Sequence, residues 1–176
     1  MDFTALLAKL KAMGLDLPAQ LANYATHVNS TAILVALIAG WIVGWFWYAL
    51  VGSVWKESVG AGKVGEFSPR RQIFGGIAQV IMTIMLGSFM ERLGYNGALG
   101  GMHTAWLLWF GFVMTTLLVN YANLGKRLGL ALIDGMHWLL VLTVMGLVIG
   151  SFNDLGIGTP KAQPAATAAP AVKTGG

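Results

Sequence analysis

The sequence predicts an all-α, polytopic membrane protein with four transmembrane helices in a bundle and an amphipathic helix in the membrane interface before them. Charged residues make up only 10% of its 176 residues, against roughly 25% in soluble globular domains. The sequence also contains four apolar runs, each near the roughly 20 residues that cross a hydrocarbon core. These runs are long and do not alternate, which excludes membrane-spanning strands.

The N-terminal region, residues 1–28, reads as helices that lie in the interface. Its apolar residues share one helical face: Phe3, Leu6, Leu7, Leu10, Met13 and Leu17. Lys9 and Lys11 border that face, where their aliphatic stems can cover apolar surface while the charges stay in water. This segment is too short and too charged to span, which favours an interfacial position. A second short helix is predicted from Pro18 to about Val28.

The transmembrane domain, residues 29–153, holds the four spans. They are predicted at roughly Ser30 to Val51, Gln72 to Met90, His103 to Tyr121 and Leu128 to Phe152. The C-terminal tail, residues 154–176, is rich in Pro and Ala beyond Gly156. This composition cannot bury a core, so an extended or disordered tail is expected.

The distribution of positive charge predicts the orientation. The first and third loops carry Lys56, Lys63, Arg70, Arg71, Lys126 and Arg127. The opposite side carries Arg92 and Lys161 close to the spans. Because cytoplasmic loops are enriched in Lys and Arg, these two loops are predicted to be cytoplasmic. Both termini then face the periplasm of a bacterial inner membrane. The net charge of +4 does not by itself imply a nucleic-acid partner, because membrane proteins collect Lys and Arg in their loops, and no such partner is predicted.

Asp134 and His137 in the fourth span form the candidate intramembrane polar site, together with Asn120 in the third. The two residues are three positions apart and share a helix face, and ionisable residues inside a span usually face the bundle interior. The favoured interpretation is an interhelical hydrogen bond to Asn120, Asn123 or Thr116. A proton-handling or ligand site and a metal site are the alternatives.

Two pairs of small residues predict helix packing faces. Gly40 and Gly44 in the first span and Gly146 and Gly150 in the fourth have the spacing that allows membrane helices to approach closely. Whether they pack within the bundle or against a partner is open at this point.

An aromatic face is predicted on the first span, at Trp41, Trp45 and Tyr48. Trp and Tyr near a helix end usually form a belt at the membrane interface, which is the favoured interpretation. A surface that binds a pigment or a quinone is the alternative.

The sequence contains no recognisable catalytic constellation. Gly60–Gly65 matches G-x-G-x-x-G, but no strand precedes it and no βαβ unit follows, which excludes a nucleotide site. There is no H-E-x-x-H motif, nucleophile elbow or pair of carboxylates, and the absence of Cys excludes thiolate metal sites and disulfides. The prediction is a protein that is no enzyme and carries no cofactor or metal.

Several short motifs resemble the bacterial membrane family known as domain of unknown function 1761. They are Gly44–Tyr48 with Gly52 and Trp55–Gly60, then Trp109–Val113, then Leu132–Trp138. The resemblance covers roughly residues 31–152 and implies a four-helix membrane fold without implying an activity. His137 stands where the family pattern leads us to expect Tyr. The N-terminal helices and the tail resemble additions to the family core.

Two functions compete at the sequence level. The favoured one is a non-catalytic accessory subunit that contacts lipids and other membrane-protein subunits of a larger complex, with a photosynthetic or respiratory complex as a plausible host. The lack of catalytic groups, the aromatic face and the added termini favour it. The alternative is a small transporter of protons, ions or solutes that uses Asp134.

Overall fold

The computed structural model describes residues 3–14, 29–60 and 68–158. The helices are α1 (Phe3–Ala12), α2 (Ser30–Val59), α3 (Pro69–Leu93), α4 (Gly97–Asn123) and α5 (Leu128–Asp154). Within α4, a π-helical segment at Trp109–Met114 separates the α-helical parts Gly97–Leu108 and Thr115–Asn123. Helices α2 to α5 are long and apolar enough to cross a membrane, which confirms the predicted fold class. The predicted helix at residues 18–28 and the tail beyond residue 158 lie outside the described residues.

The four spanning helices are all longer than the apolar runs that predicted them, α2 and α4 by the most. Helix α2 continues from Val51 to Val59, about two further turns, and α4 begins at Gly97 and not at His103. The apolar run marks only the part of a helix that sits in hydrocarbon, so a polar extension escapes it. The glycines before His103 resemble a loop in sequence, but in the structure they form a helix that packs against α5.

Helix α2 lies antiparallel to α5 and is held at both ends. Asn29 caps α2 by accepting a hydrogen bond from the Ala32 amide at 3.0 Å, and its side-chain amide donates to the Ile157 carbonyl at 2.5 Å. At the opposite end, Nζ of Lys126 donates to the Val59 carbonyl at 2.9 Å. The start of α2 therefore meets the end of α5, and the end of α2 meets the loop before α5.

Helices α4 and α5 approach each other closely through glycines. A Cβ on Gly101 would overlap the Gly146 carbonyl oxygen, and a Cβ on Gly150 would overlap the Gly97 carbonyl oxygen. Small residues permit this close backbone packing, which supplies much of the attraction between helices where lipid removes the hydrophobic driving force. The core around this contact comprises Ala36, Leu86, Met90, Ala105, Val141, Leu142, Met145 and Ile149.

Helix α3 closes the bundle with a partly polar inner face. The Gln79 side-chain amide lies 3.4 Å from the Leu37 carbonyl oxygen of α2. The Thr83 hydroxyl donates to the Gln79 carbonyl at 2.7 Å and lies 3.5 Å from the Met145 sulfur. The polar groups of α3 are therefore satisfied largely by backbone and add little to the site described below.

Gly146→Ala should destabilise the bundle by about 1–3 kcal/mol, because the added methyl group forces α4 and α5 apart. Gly129→Ala on the same helix is the matched control, since a Cβ there meets nothing within 4 Å, and it should change stability by less than about 1 kcal/mol. Unfolding in mixed detergent and SDS micelles measures both. Equal stabilities for the two variants would contradict the close contact.

Candidate functional site

The carboxylate of Asp134 joins three helices. Asp134 is only 7% exposed, and its Oδ1 accepts hydrogen bonds from the Tyr48 hydroxyl at 3.0 Å and the Trp55 indole N–H at 2.9 Å. Its Oδ2 accepts a hydrogen bond from the Tyr121 hydroxyl at 2.5 Å. Two donors come from α2 and one from α4, while the acceptor lies on α5.

All three donors to Asp134 are neutral. The indole N–H of Trp55 can only donate, and an ionised carboxylate can only accept, so the arrangement suits the ionised form of Asp134. Hydrogen bonds to an ionised acceptor are roughly twice as strong as neutral ones. In the described part of the chain, no Lys or Arg forms an ion pair with Asp134, so the negative charge is held by dipoles alone.

The extension of α2 brings a second donor, Trp55, to the site beside Tyr48. Tyr48 and Trp55 are seven residues apart, which is about two turns, and therefore lie on the same helix face. Their rings meet edge to face, with centroids 5.7 Å apart. Trp55 lies beyond the apolar run that marked the span, so the site depends on helix that continues past the predicted boundary.

The π-helical segment turns Tyr121 toward Asp134. On an unbroken α-helix, Tyr121 would lie about 200° around the axis from Gly101 and face away from α5. A π turn contains more residues, so each residue rotates the chain less. Met114, the last residue of the segment, is buried, and beyond the segment Tyr121 reaches α5, while Phe112 is left 70% exposed.

Trp109 at the start of the π-helical segment also contacts α5 beside the site. Its indole N–H donates to the Gly135 carbonyl at 2.7 Å, and a Cβ on Gly135 would lie 2.6 Å from the Met114 sulfur. Gly135 follows Asp134, so both ends of the π-helical segment pack on α5 at the site.

His137 lies one turn along α5 from Asp134 and is 8% exposed. Its ring centroid is 4.9 Å from that of Tyr48 and 4.8 Å from that of Trp138. A Cβ on Gly44 would lie 3.0 Å from His137 Nε2, so the glycine makes room for the imidazole. Nδ1 of His137 is buried and has no hydrogen-bond partner in the described part of the chain.

The predicted hydrogen-bond partners of Asp134 were wrong, because the structure shows Tyr48, Trp55 and Tyr121 in that role. Asn120, grouped with Asp134 and His137 in the sequence analysis, is exposed, as are Asn123 and Thr116. The expectation assumed an unbroken α-helix and favoured amide and hydroxyl side chains. The π-helical segment changes which face of α4 meets α5, and Tyr121 takes the place that Asn120 was given.

The predicted aromatic face divides in the structure. Tyr48 turns its hydroxyl inward to Asp134, so it belongs to the polar site. Trp41 and Trp45 stay outside, 52% and 75% exposed. They are the twelfth and sixteenth of the 30 residues of α2, near its middle, whereas an interfacial belt requires a position near a helix end.

The four predicted packing glycines all face neighbouring helices of the bundle. A Cβ on Gly40 would overlap the Met145 methyl group and lie 2.6 Å from the Gln79 amide nitrogen. Gly44 faces His137, and Gly146 and Gly150 face α4.

Sequence reasoning missed Trp55 and Tyr121 as site residues. Trp55 belongs to one of the motifs that carry the family resemblance, but it lies outside the apolar run. Tyr121 ends the third apolar run close in sequence to the start of the fourth, so its depth matches that of Asp134, which is the signal that was available.

Among the described residues of this site, only Asp134 and His137 have side chains that commonly bind metals in proteins. In the described ranges, no group of three or more His, Cys, Asp or Glu side chains lies close enough together to hold a metal ion. A pair of ligands on one helix, with the carboxylate already engaged by three donors, is poorly suited to a metal.

Most of the chain matches a known protein family. Residues 31–150 match the family described as protein of unknown function (DUF1761). The chain belongs to this family. The match confirms the resemblance drawn from the short motifs and contains Tyr48, Trp55, Tyr121, Asp134 and His137. Helix α1 lies outside the DUF1761 match. Neither a curated protein nor a solved structure matches the chain.

Asp134→Leu should cost about 2–4 kcal/mol of stability, because it leaves three donors without their acceptor. Asp134→Asn should cost about 1 kcal/mol, since its carbonyl oxygen still accepts from α2 while the charge is lost. Glu57→Gln, which removes an exposed carboxylate of α2, is the control and should be neutral. Unfolding in mixed micelles measures all three. A Leu variant as stable as the parent would show that the donors find other partners.

Proposed function

We propose that the protein is a non-catalytic subunit of a larger assembly in a bacterial cytoplasmic membrane, and that it docks through the outward face of α2. The observation that carries this proposal is the exposure of Trp41 and Trp45 at mid-depth in the bundle. Indoles are enriched at membrane interfaces, where their polar edge meets water. Two exposed indoles far from both ends of a spanning helix suit contact with another protein.

The depth of these indoles follows from the packing of α2 on α5. A Cβ on Gly44 would lie 3.8 Å from Val141 Cγ2, and Val141 is the fourteenth of the 27 residues of α5. Trp45 is therefore level with the midpoint of α5. It also lies six residues before Val51, where the apolar run of α2 ends, which is about 9 Å at 1.5 Å per residue. Trp41 lies about 15 Å before that end, so both indoles are deeper than the interface.

The large side chains on the outward face of α2 support the same function. Because Gly40 and Gly44 point into the bundle, the outward face of α2 carries large side chains. Ile38, Ile42 and Phe46 are each more than half exposed there. Trp is among the residues that contribute most to the binding energy of protein interfaces. Contact with lipid tails at this depth gives its indole N–H no hydrogen-bond partner.

A transporter that uses Asp134 is the second candidate, and the buried carboxylate beside the unpartnered His137 nitrogen favours it. The rest of the bundle offers little to continue a pathway. The hydroxyls of Thr83, Ser88 and Thr104 each donate to a carbonyl of their own helix. Among the described residues, the bundle interior between Asp134 and the opposite end is lined mainly by apolar side chains. Such a lining offers no path for an ion or a proton, which favours docking over transport.

The orientation is part of the proposal. Four described cations lie at the end of the bundle where Asp134 sits: Lys56, Arg70, Lys126 and Arg127. The described charges at the other end are Glu91, Arg92 and Asp154. The excess of Lys and Arg supports a cytoplasmic position for the Asp134 end, with both termini in the periplasm.

Photo-cross-linking tests the docking face. A benzoylphenylalanine in place of Trp45 should form an adduct with a different membrane protein in living cells. The matched control is the same residue in place of Phe110, which is 71% exposed and the fourteenth residue of the 27 in α4. This position has equal depth on another face and should label lipid. Adducts at position 45 with lipid alone, or with a second copy of this chain alone, would refute docking through α2.

Labelling of single cysteines tests the orientation, because the chain contains no Cys of its own. Asn96→Cys, in the exposed turn before α4, should react with an impermeant maleimide in intact spheroplasts. Asn123→Cys, at the other end of α4, should react only after the membrane is opened. The reverse pattern would invert the proposed topology.

A further inference from the structure

We propose that Asp134 and His137 form a proton-binding site, in which the imidazole takes up a proton and the carboxylate stabilises the resulting charge. The two side chains share a face of α5, are both more than nine-tenths buried, and are joined by one residue of α2. Tyr48 donates to Asp134 through its hydroxyl and packs its ring on His137. This proposal does not depend on the docking function.

The hydrogen bonds indicate where the proton goes. A proton on Asp134 would remove the charge that strengthens its three hydrogen bonds, and it would have to reverse a bond from a tyrosine hydroxyl or displace the Trp55 indole, which cannot accept. Nδ1 of His137 has no partner in the described part of the chain, so protonation there breaks no bond shown by the structure. The imidazole is therefore the group that gains a proton without loss to the network.

The charge balance favours the same location. A buried carboxylate held only by neutral donors leaves one negative charge in a medium of low dielectric, which is costly. An imidazolium one helical turn away lies within the distance at which opposite charges attract strongly. With one proton bound, the pair is neutral overall, and this state suits the interior of a spanning bundle.

The other ionisable groups around the pair leave it isolated. Tyr48 on α2 and Tyr121 on α4 face it directly. The remaining described charges near this end of the bundle are exposed: Lys56, Glu57, Arg70, Lys126 and Arg127. None of them forms an ion pair with Asp134 in the described ranges.

The test is a pH titration of protein with nitrogen-labelled histidine in nanodiscs, followed by NMR. His137→Phe assigns the His137 signal against those of His27 and His103. We expect His137 to take up a proton within the pH range over which the protein stays folded. Asp134→Asn should weaken that proton binding at least tenfold, which is about one pH unit, because the opposing charge is removed. Glu57→Gln is the exposed control and should shift the midpoint by less than about 0.3 pH unit.

A reciprocal measurement keeps the test valid if Asp134→Asn does not fold. Coupling between two sites is the same in both directions. In His137→Phe the infrared band of the protonated Asp134 carboxyl should therefore appear at a pH about one unit higher than in the parent. A His137 titration that is identical in Asp134→Asn and the parent would overturn the proposal. So would a His137 that takes up no proton in this range, or a carboxyl band unmoved in His137→Phe.

Discussion

The bundle is organised around the requirement that the Asp134 carboxylate be hydrogen-bonded by protein, because hydrocarbon offers it no donor. Each of its three donors comes from a different helix than its own. Trp55 requires α2 to continue past the end of its apolar run, and Tyr121 requires a π-helical segment to change the helical phase of α4. The extension of α2 and the π-helical segment of α4, neither of which the sequence predicted, therefore each supply a donor to the same carboxylate.

The number, type and order of the spanning helices follow from composition and run length, and these were predictable from sequence. The partners of Asp134 were not. The helical phase of α4 decides whether Asn120 or Tyr121 faces α5, and the phase changes within Trp109–Met114. That sequence is uniformly apolar and carries no polar residue whose position could report the rotation.

The glycine pairs were predictable as packing faces but their partners were not. Gly146 and Gly150 meet Gly101 and Gly97 of α4, a stretch that reads as a loop because glycine disfavours helices in water. Membrane helices tolerate glycine, since close packing compensates for its conformational freedom. Of the four glycines that draw α4 onto α5, Gly97 and Gly101 thus hide the first turns of α4 from a prediction based on helix propensity.

The two ends of the bundle are held together by different kinds of interaction, and this difference affects which end can move. Where α5 ends, backbones touch at glycines and the Asn29 cap ties α2 to Ile157, so relative movement is opposed by direct overlap. Where α5 begins, α2 is attached through Asp134 and through one hydrogen bond from Lys126 to Val59, interactions that depend on charge.

Helix α2 also carries Trp45 on its outer side, three residues before Tyr48. A partner seated on that face and a proton held by His137 would therefore act on neighbouring residues of one helix. If the partner favours one position of α2, its binding free energy and the proton affinity of the site must change each other by equal amounts. A rigid α2 gives no such coupling, whatever the strength of either contact. The last two turns of α2 are held by the Asp134 carboxylate and not by overlapping backbones. They are therefore the part of the bundle whose displacement requires the least free energy.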